Sequence, residues 1–195
     1  MTASEAGAGE RSAAQPEPGP EVRVSGREAF GGKLLKLAVD TVRLPSGRET
    51  VREVVEHPGA VAILALTTDD RVLLLRHYRY AVGRTLLELP AGTRELGEEP
   101  EATARRELQE ETRYAAGRLT RLASFFTSPG YSTEEIVLFR ADDCRRVPHA
   151  PGPEETLVVA PTPRREIPAL LAPGADRVQD AKTLIGLLWL LREAE

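Results

Sequence analysis

A chain of 195 residues, 41% of them apolar and 29% charged, has the length for one domain with a core of its own. The net charge is −4, and lysines and arginines are scattered, which excludes the basic stripe that a nucleic-acid backbone requires. The single cysteine, Cys144, excludes an internal disulfide and a cysteine-built metal cluster.

From Met1 to about Ser25 the chain is Ala, Gly, Glu and Pro with almost no large apolar side chain, so ordering it costs backbone entropy with little burial in return. A disordered tail over residues 1–25 and one domain over 26–195 are expected. No apolar run nears the ~18 residues of a membrane span, and the N-terminus lacks the order of a signal peptide, so no membrane partner and a cytoplasmic location are expected.

Leu34 to Val42 and Glu49 to Glu56 alternate apolar and polar residues around Pro45-Ser46-Gly47, the pattern of a peripheral hairpin. Ala60 to Leu66 is continuously apolar, Asp69-Asp70 is turn chemistry, and Val72 to Leu75 is apolar again, so both strands belong at the sheet centre. Leu86 to Leu89 reads as a short strand stopped by Pro90, and Ala91 to Glu98, with Gly92 and Gly97, reads as a loop. Pro100 then suits a first helical turn, and the helix runs to about Thr112.

Further on, Leu119 to Phe126, a Ser128-Pro129-Gly130 turn, Glu135 to Ala141 and Thr156 to Ala160 read as strands around loops. Asp180 caps a final helix whose Leu184, Leu187, Leu188 and Leu191 recur at helical spacing, widened by Ile185 and Trp189. Strands between helices give an α/β/α sandwich with a mixed, mostly antiparallel central sheet.

The chemistry concentrates on the helix of residues 100–112. Glu107, Glu110 and Glu111 lie three and four residues apart and emerge close together, at a repulsive cost of about 0.2–0.5 kcal/mol per exposed pair. Such a run is ordinarily a solvated acidic face. Here Glu111 falls within about a sixth of a turn of Ala104 and Leu108, the apolar positions, which puts it at the rim of the core. Carboxylates converging on a partly desolvated rim suit a hard divalent cation, and Mg²⁺ completes its shell with substrate phosphates. Attack of water on a phosphoanhydride needs that charge neutralised, and a further loop carboxylate to take the water's proton.

Gly92, Glu98, Arg106, Glu107, Leu108, Glu110 and Glu111 stand at the gaps of the Nudix box, and the chain resembles the Nudix hydrolase family through them. Leu87-Glu88-Leu89-Pro90-Ala91-Gly92, Ser128-Pro129-Gly130-Tyr131 and Asp180-Ala181-Lys182-Thr183 extend the resemblance to its ADP-ribose pyrophosphatase branch, over roughly Phe30 to Leu191. What this resemblance implies is a Mg²⁺ or Mn²⁺ shell of Glu107, Glu110, Glu111 and the Ala91 carbonyl, oriented by Arg106 through Glu98. It further implies a substrate site with Arg79, on a loop after the strand ending near His77, together with Glu88, Ser128, Pro129 and Gly130.

Glu155, with Glu154 as alternate, is the implied general base, and the branch implies a homodimer joined through the N-terminal hairpin. The implied reaction splits ADP-ribose into AMP and ribose 5-phosphate. Dinucleoside polyphosphates, which Tyr131 keeps open, nucleotide sugars and NADH are alternative substrates, and a non-catalytic ADP-ribose sensor is an alternative role. One position departs from the box: Arg113 stands where it has a glycine, and a left-handed helix exit costs arginine roughly 1–2 kcal/mol.

Overall fold

The structure, a computed structural model, describes residues 19–148, 157–175 and 177–192. A small antiparallel sheet is built from β1 (Val22–Gly31), β2 (Lys36–Arg43) and β3 (Glu49–Glu56). The expected hairpin is β2 and β3. Strand β1 adds to it and corrects the tail boundary, because Val22 to Ser25 pair with β2 from Val22 opposite Arg43 onward. Every residue of β1 is exposed, so backbone pairing holds it and hydropathy carries no trace of it. The rest of the expected tail, residues 1–18, lies outside the described residues.

The main sheet takes β4 (Ala60–Thr67), β5 (Arg71–Arg79), β6 (Arg84–Glu88), β7 (Ala91–Thr93), β8 (Tyr114–Ala115), β9 (Arg118–Phe126), β10 (Glu135–Arg146) and β11 (Leu157–Pro163). Its order is β11-β5-β4-β10-β8, with β6 on β5, β7 on β4 and β9 on β10. Strands β4 and β10 run parallel and the other pairs antiparallel, the mixed sheet expected. Two boundaries differ. Strand β7 falls in the stretch that reads as loop, since three residues between Pro90 and Gly97 carry no periodicity. Strand β5 continues to Arg79, which is therefore a strand residue opposite Arg84 and not a loop arginine.

All eight residues of β4 are buried. Ala60, Ala62, Leu64 and Leu66 face one core with Ile167, Leu187 and Leu190, whereas Val61, Ile63 and Ala65 face a second core with Ala104 and Leu108. Period-two alternation thus feeds two layers. Helix α1 (Pro100–Thr112) covers the second; α2 (Ile167–Leu170) and α3 (Ala181–Arg192) cover the first.

Asp180 caps α3 as expected, its Oδ2 accepting the Thr183 N–H at 3.0 Å. The buried face of α3 runs through Thr183, Gly186, Leu187 and Leu190. Leu188, counted as apolar-facing by spacing, is exposed. Helix α1 leaves through Arg113 at φ 63° and ψ 31°, with its N–H bonded to the Gln109 carbonyl. The left-handed exit survives the missing glycine.

Candidate active site

Pro90 closes β6's run, and the chain turns back to lay β7 beside β4, Gly92 opposite Val61 and Ala91 opposite Ala62. Helix α1 packs on the same edge through Ala104 and Leu108, so its acidic stripe meets the backbone of β7. Glu111, only 8% exposed, accepts the Ala91 N–H on Oε2 at 2.9 Å. The Glu107 carboxylate fills the space over Gly92, where even a methyl group would overlap it. Glycine is needed there for room.

Arg106 joins the acids. Its Nη1 donates to Glu107 Oε1 at 2.7 Å and to Glu110 Oε2 at 3.0 Å, while Nε and Nη2 hold Glu98 at 3.1 and 3.0 Å. A planar fork with five donors is suited to this task and a lysine is not. The Arg106 hydrogen bonds bring the Glu98 carboxyl down to about 2, and Glu98 in turn leads the groups that raise the guanidinium's pKa. One cation therefore offsets the repulsion among several carboxylates.

The set of Glu107, Glu110 and Glu111 is all carboxylate oxygen, the chemistry a hard divalent ion selects, and the Gly92 cradle leaves space for a carboxylate at the strand. On both counts the residues fit such an ion. Among the described residues no three His, Cys, Asp or Glu side chains stand in ready metal-binding geometry. Glu107 and Glu110 are turned to Arg106, and Glu111 to the Ala91 amide.

A second ionic group lies at the end of β6. Glu88, 1% exposed, is gripped by Arg79 through Nε at 2.8 Å and Nη2 at 2.7 Å, and by Lys182 Nζ at 2.7 Å. Burial alone would push this carboxyl up, but the hydrogen bonds and charges of Arg79 and Lys182 prevail and lower it to about 2. Lys182 also meets Asp180 Oδ1 at 2.9 Å. The Leu89 N–H donates to Thr183 Oγ1 at 2.8 Å, and that hydroxyl donates to Asp180 Oδ2 at 2.5 Å. Asp180 to Thr183 and Glu88 are each marked in the sequence, but nothing local links Lys182 to Glu88, 94 residues away.

Ser128, Pro129 and Gly130 form the expected turn, the Tyr131 and Ser132 amides both donating to the Ser128 carbonyl at 3.1 and 2.9 Å. The turn is tied to β3, since Val55 N–H donates to the Tyr131 carbonyl at 2.8 Å and Thr133 N–H to the Val55 carbonyl at 3.0 Å. Glu154 and Glu155 lie outside the described residues. No helix among the described residues is long and apolar enough to cross a membrane.

The sheet is layered between helices, with the acidic stripe of α1 against β7, and the NUDIX domain family matches residues 56–180. The chain belongs to the NUDIX family. It is a NUDIX pyrophosphohydrolase, of a family that generally needs divalent metal ions. An ADP-ribose pyrophosphatase of Bacillus subtilis is 39% identical over 175 residues, 89% of this chain and 95% of that one. A methanol dehydrogenase activator of Bacillus methanolicus is 38% identical over 175 residues, again 89% and 95%. In fold, a crystal structure of an ADP compounds hydrolase superposes with a TM-score of 0.76 at 22% identity, over 92% of this chain and 96% of that one.

Proposed function

We propose that this chain hydrolyses the pyrophosphate bond of ADP-ribose, adding one water to give AMP and ribose 5-phosphate, with Mg²⁺ as the ion and Mn²⁺ as a substitute. The observation that carries the reading is that Glu107 and Glu111 seat against β7, over Gly92 and on the Ala91 N–H, while Arg106 bonds Glu107 and its neighbour Glu110. The Bacillus subtilis relative supports the substrate.

Glu107, Glu110, Glu111 and the Ala91 carbonyl would hold the ion, which when bound neutralises phosphate oxygens and activates water. Arg106 holds Glu107 and Glu110 beside one another against their mutual repulsion, and both turn from it to the ion when the ion binds. Arg79, fixed at the end of β5 by Glu88 through Nε and Nη2, turns Nη1 and its charge to the diphosphate. Ser128, Pro129 and Gly130 shape the adenosine side. Glu155, or Glu154 in its place, takes the proton of the attacking water. The active form is a homodimer joined through the small sheet, whose Val22, Val24, Phe30 and Val51 are exposed, as is Leu34 in its β1–β2 turn. No membrane or nucleic acid takes part, and the enzyme works in the cytoplasm.

The Bacillus methanolicus relative favours a second reading, in which the domain acts as a regulator through a nucleotide ligand. Incubation with ADP-ribose, dinucleoside polyphosphates, nucleotide sugars and NADH in Mg²⁺, with product identification, separates the two. AMP and ribose 5-phosphate from ADP-ribose, lost by at least ~10²-fold in Glu107→Gln and Glu111→Gln, is the expected result. Tight ADP-ribose binding without turnover would favour the regulator, and unchanged turnover in both variants would remove the carboxylates from the mechanism.

A further inference from the structure

The Asp180-Ala181-Lys182-Thr183 motif sits at the start of α3, on a different helix from the box carboxylates, and the proposed reaction gives it no part. Its charged members are half of a four-residue chain: Arg79, Glu88, Lys182, Asp180. Its middle is the most buried part, with Glu88 at 2% and Lys182 at 10% exposure between Arg79 at 40% and Asp180 at 17%. Glu88 gives both oxygens to Arg79, and Oε2 is shared, since Lys182 Nζ stands 2.7 Å from it. This fork uses Nε and Nη2 of Arg79 and leaves Nη1 outside it.

We propose that Lys182 is a positioning residue for Arg79, holding Glu88 by its shared oxygen so that the guanidinium keeps one orientation and enough unspent charge to bind the diphosphate. The inference rests on the reading of Arg79 as the diphosphate contact. Two charges of each sign make the chain neutral as it stands. Without Lys182 it carries a net negative charge beside the spot where an anionic substrate arrives, and Glu88 is left to Arg79 alone. Electrostatics then disfavours the anion twice, through the local potential and through a more tightly neutralised guanidinium. Asp180 is the anchor at the other end, since it also caps α3 and holds Thr183, whose hydroxyl fixes the amide of Leu89 next to Glu88. Helix α3 thereby sets the position of the strand end that carries Glu88.

A purely structural Lys182 would lower the melting temperature and leave ligand affinity alone. Affinity for the α,β-methylene analogue of ADP-ribose is therefore measured by calorimetry in Mg²⁺, without turnover, for wild type, Arg79→Ala, Lys182→Met and the double variant. Lys182→Met is expected to weaken binding about tenfold, the double variant to be no weaker than Arg79→Ala, and Lys182→Arg to recover most of the loss. If Lys182→Met proves unfolded, Lys182→Gln takes its place with the same readout. Wild-type affinity in the Lys182 variant while Arg79→Ala is weakened would overturn the inference and leave the Arg79 reading intact. Losses that add in the double variant would also overturn it, because Lys182 would then act without Arg79. Unchanged affinity in Arg79→Ala would instead defeat the reading beneath it.

Discussion

The N–H of Ala91 donates to the Glu111 carboxylate across 2.9 Å, tying the last turn of α1 to the short strand that it faces. Since Gly92 follows Ala91 and lies under Glu107, two neighbouring backbone units seat two of the acids. The site is an agreement between a helix stripe and a strand without side-chain bulk.

Gly92→Ala tests that agreement. The added methyl overlaps the Glu107 carboxylate, so the acid must leave its place, and turnover is expected to fall by about 10–100-fold, as when a metal ligand loses its support. Steady-state kinetics across a Mg²⁺ titration would read it. Wild-type turnover at wild-type Mg²⁺ demand would mean that the position of Glu107 over β7 is unimportant.

Arg113→Gly should act in the opposite sense on stability. Arg113 holds φ 63° at the helix exit while its N–H and C=O bond Gln109 and Val147. Relief of the left-handed strain, less the added flexibility of the unfolded glycine, leaves a gain of about 1 kcal/mol. A denaturant midpoint that rises with an unchanged slope is the expected signature, with catalysis unaffected.

Acid should weaken the fold through Glu88. Its carboxyl titrates near 2 in the folded chain against 4.5 ordinarily. A depressed value means that the folded state holds the charged form better, so the stabilisation is complete above 4.5 and is lost as pH falls from there toward 2. Glu98, also near 2, acts in the same sense. Glu88→Gln is expected to flatten part of this dependence and to lose about 1.5–3 kcal/mol at pH 7, where Arg79 and Lys182 lose a charged partner. Urea unfolding from pH 7 to pH 2 would show both. An unaltered pH slope in the variant would count against the ion network.

Val22, Val24 and Phe30 on β1, Val51 on β3 and Leu34 in the turn between β1 and β2 are exposed, apolar side chains that a second copy would cover. Sedimentation equilibrium at micromolar concentration is expected to give a dimer, and Val24→Glu with Phe30→Glu to shift it to monomer. A wild-type monomer throughout that range would contradict the proposed assembly.

Much of this architecture was legible because its causes are local. The buried runs of β4 and β5, the Pro100 start of α1 and the Asp180 cap of α3 each announce themselves within a few residues, and the box spacing brings Glu98 and Arg106 together. What escaped has causes distant along the chain. Strand β1 is exposed along its whole length and exists by pairing with β2. Strand β7 spans three residues whose pairing with β4 no periodicity marks. The partner of Lys182 is a glutamate on another layer, and only the joint appearance of an acid before Pro90 and a lysine in a late motif could have hinted at it. The helix exit at Arg113 could be read as strained or rerouted from sequence, and the backbone angle decides for strain.

The most direct test is a crystal structure with Mg²⁺ and the α,β-methylene analogue of ADP-ribose. The expected result is an ion about 2.0–2.1 Å from oxygens of Glu107, Glu110 and Glu111, with the diphosphate completing its shell. Those three side chains still clamped on Arg106 and the Ala91 amide, with the ion bound elsewhere or absent, would contradict the central claim.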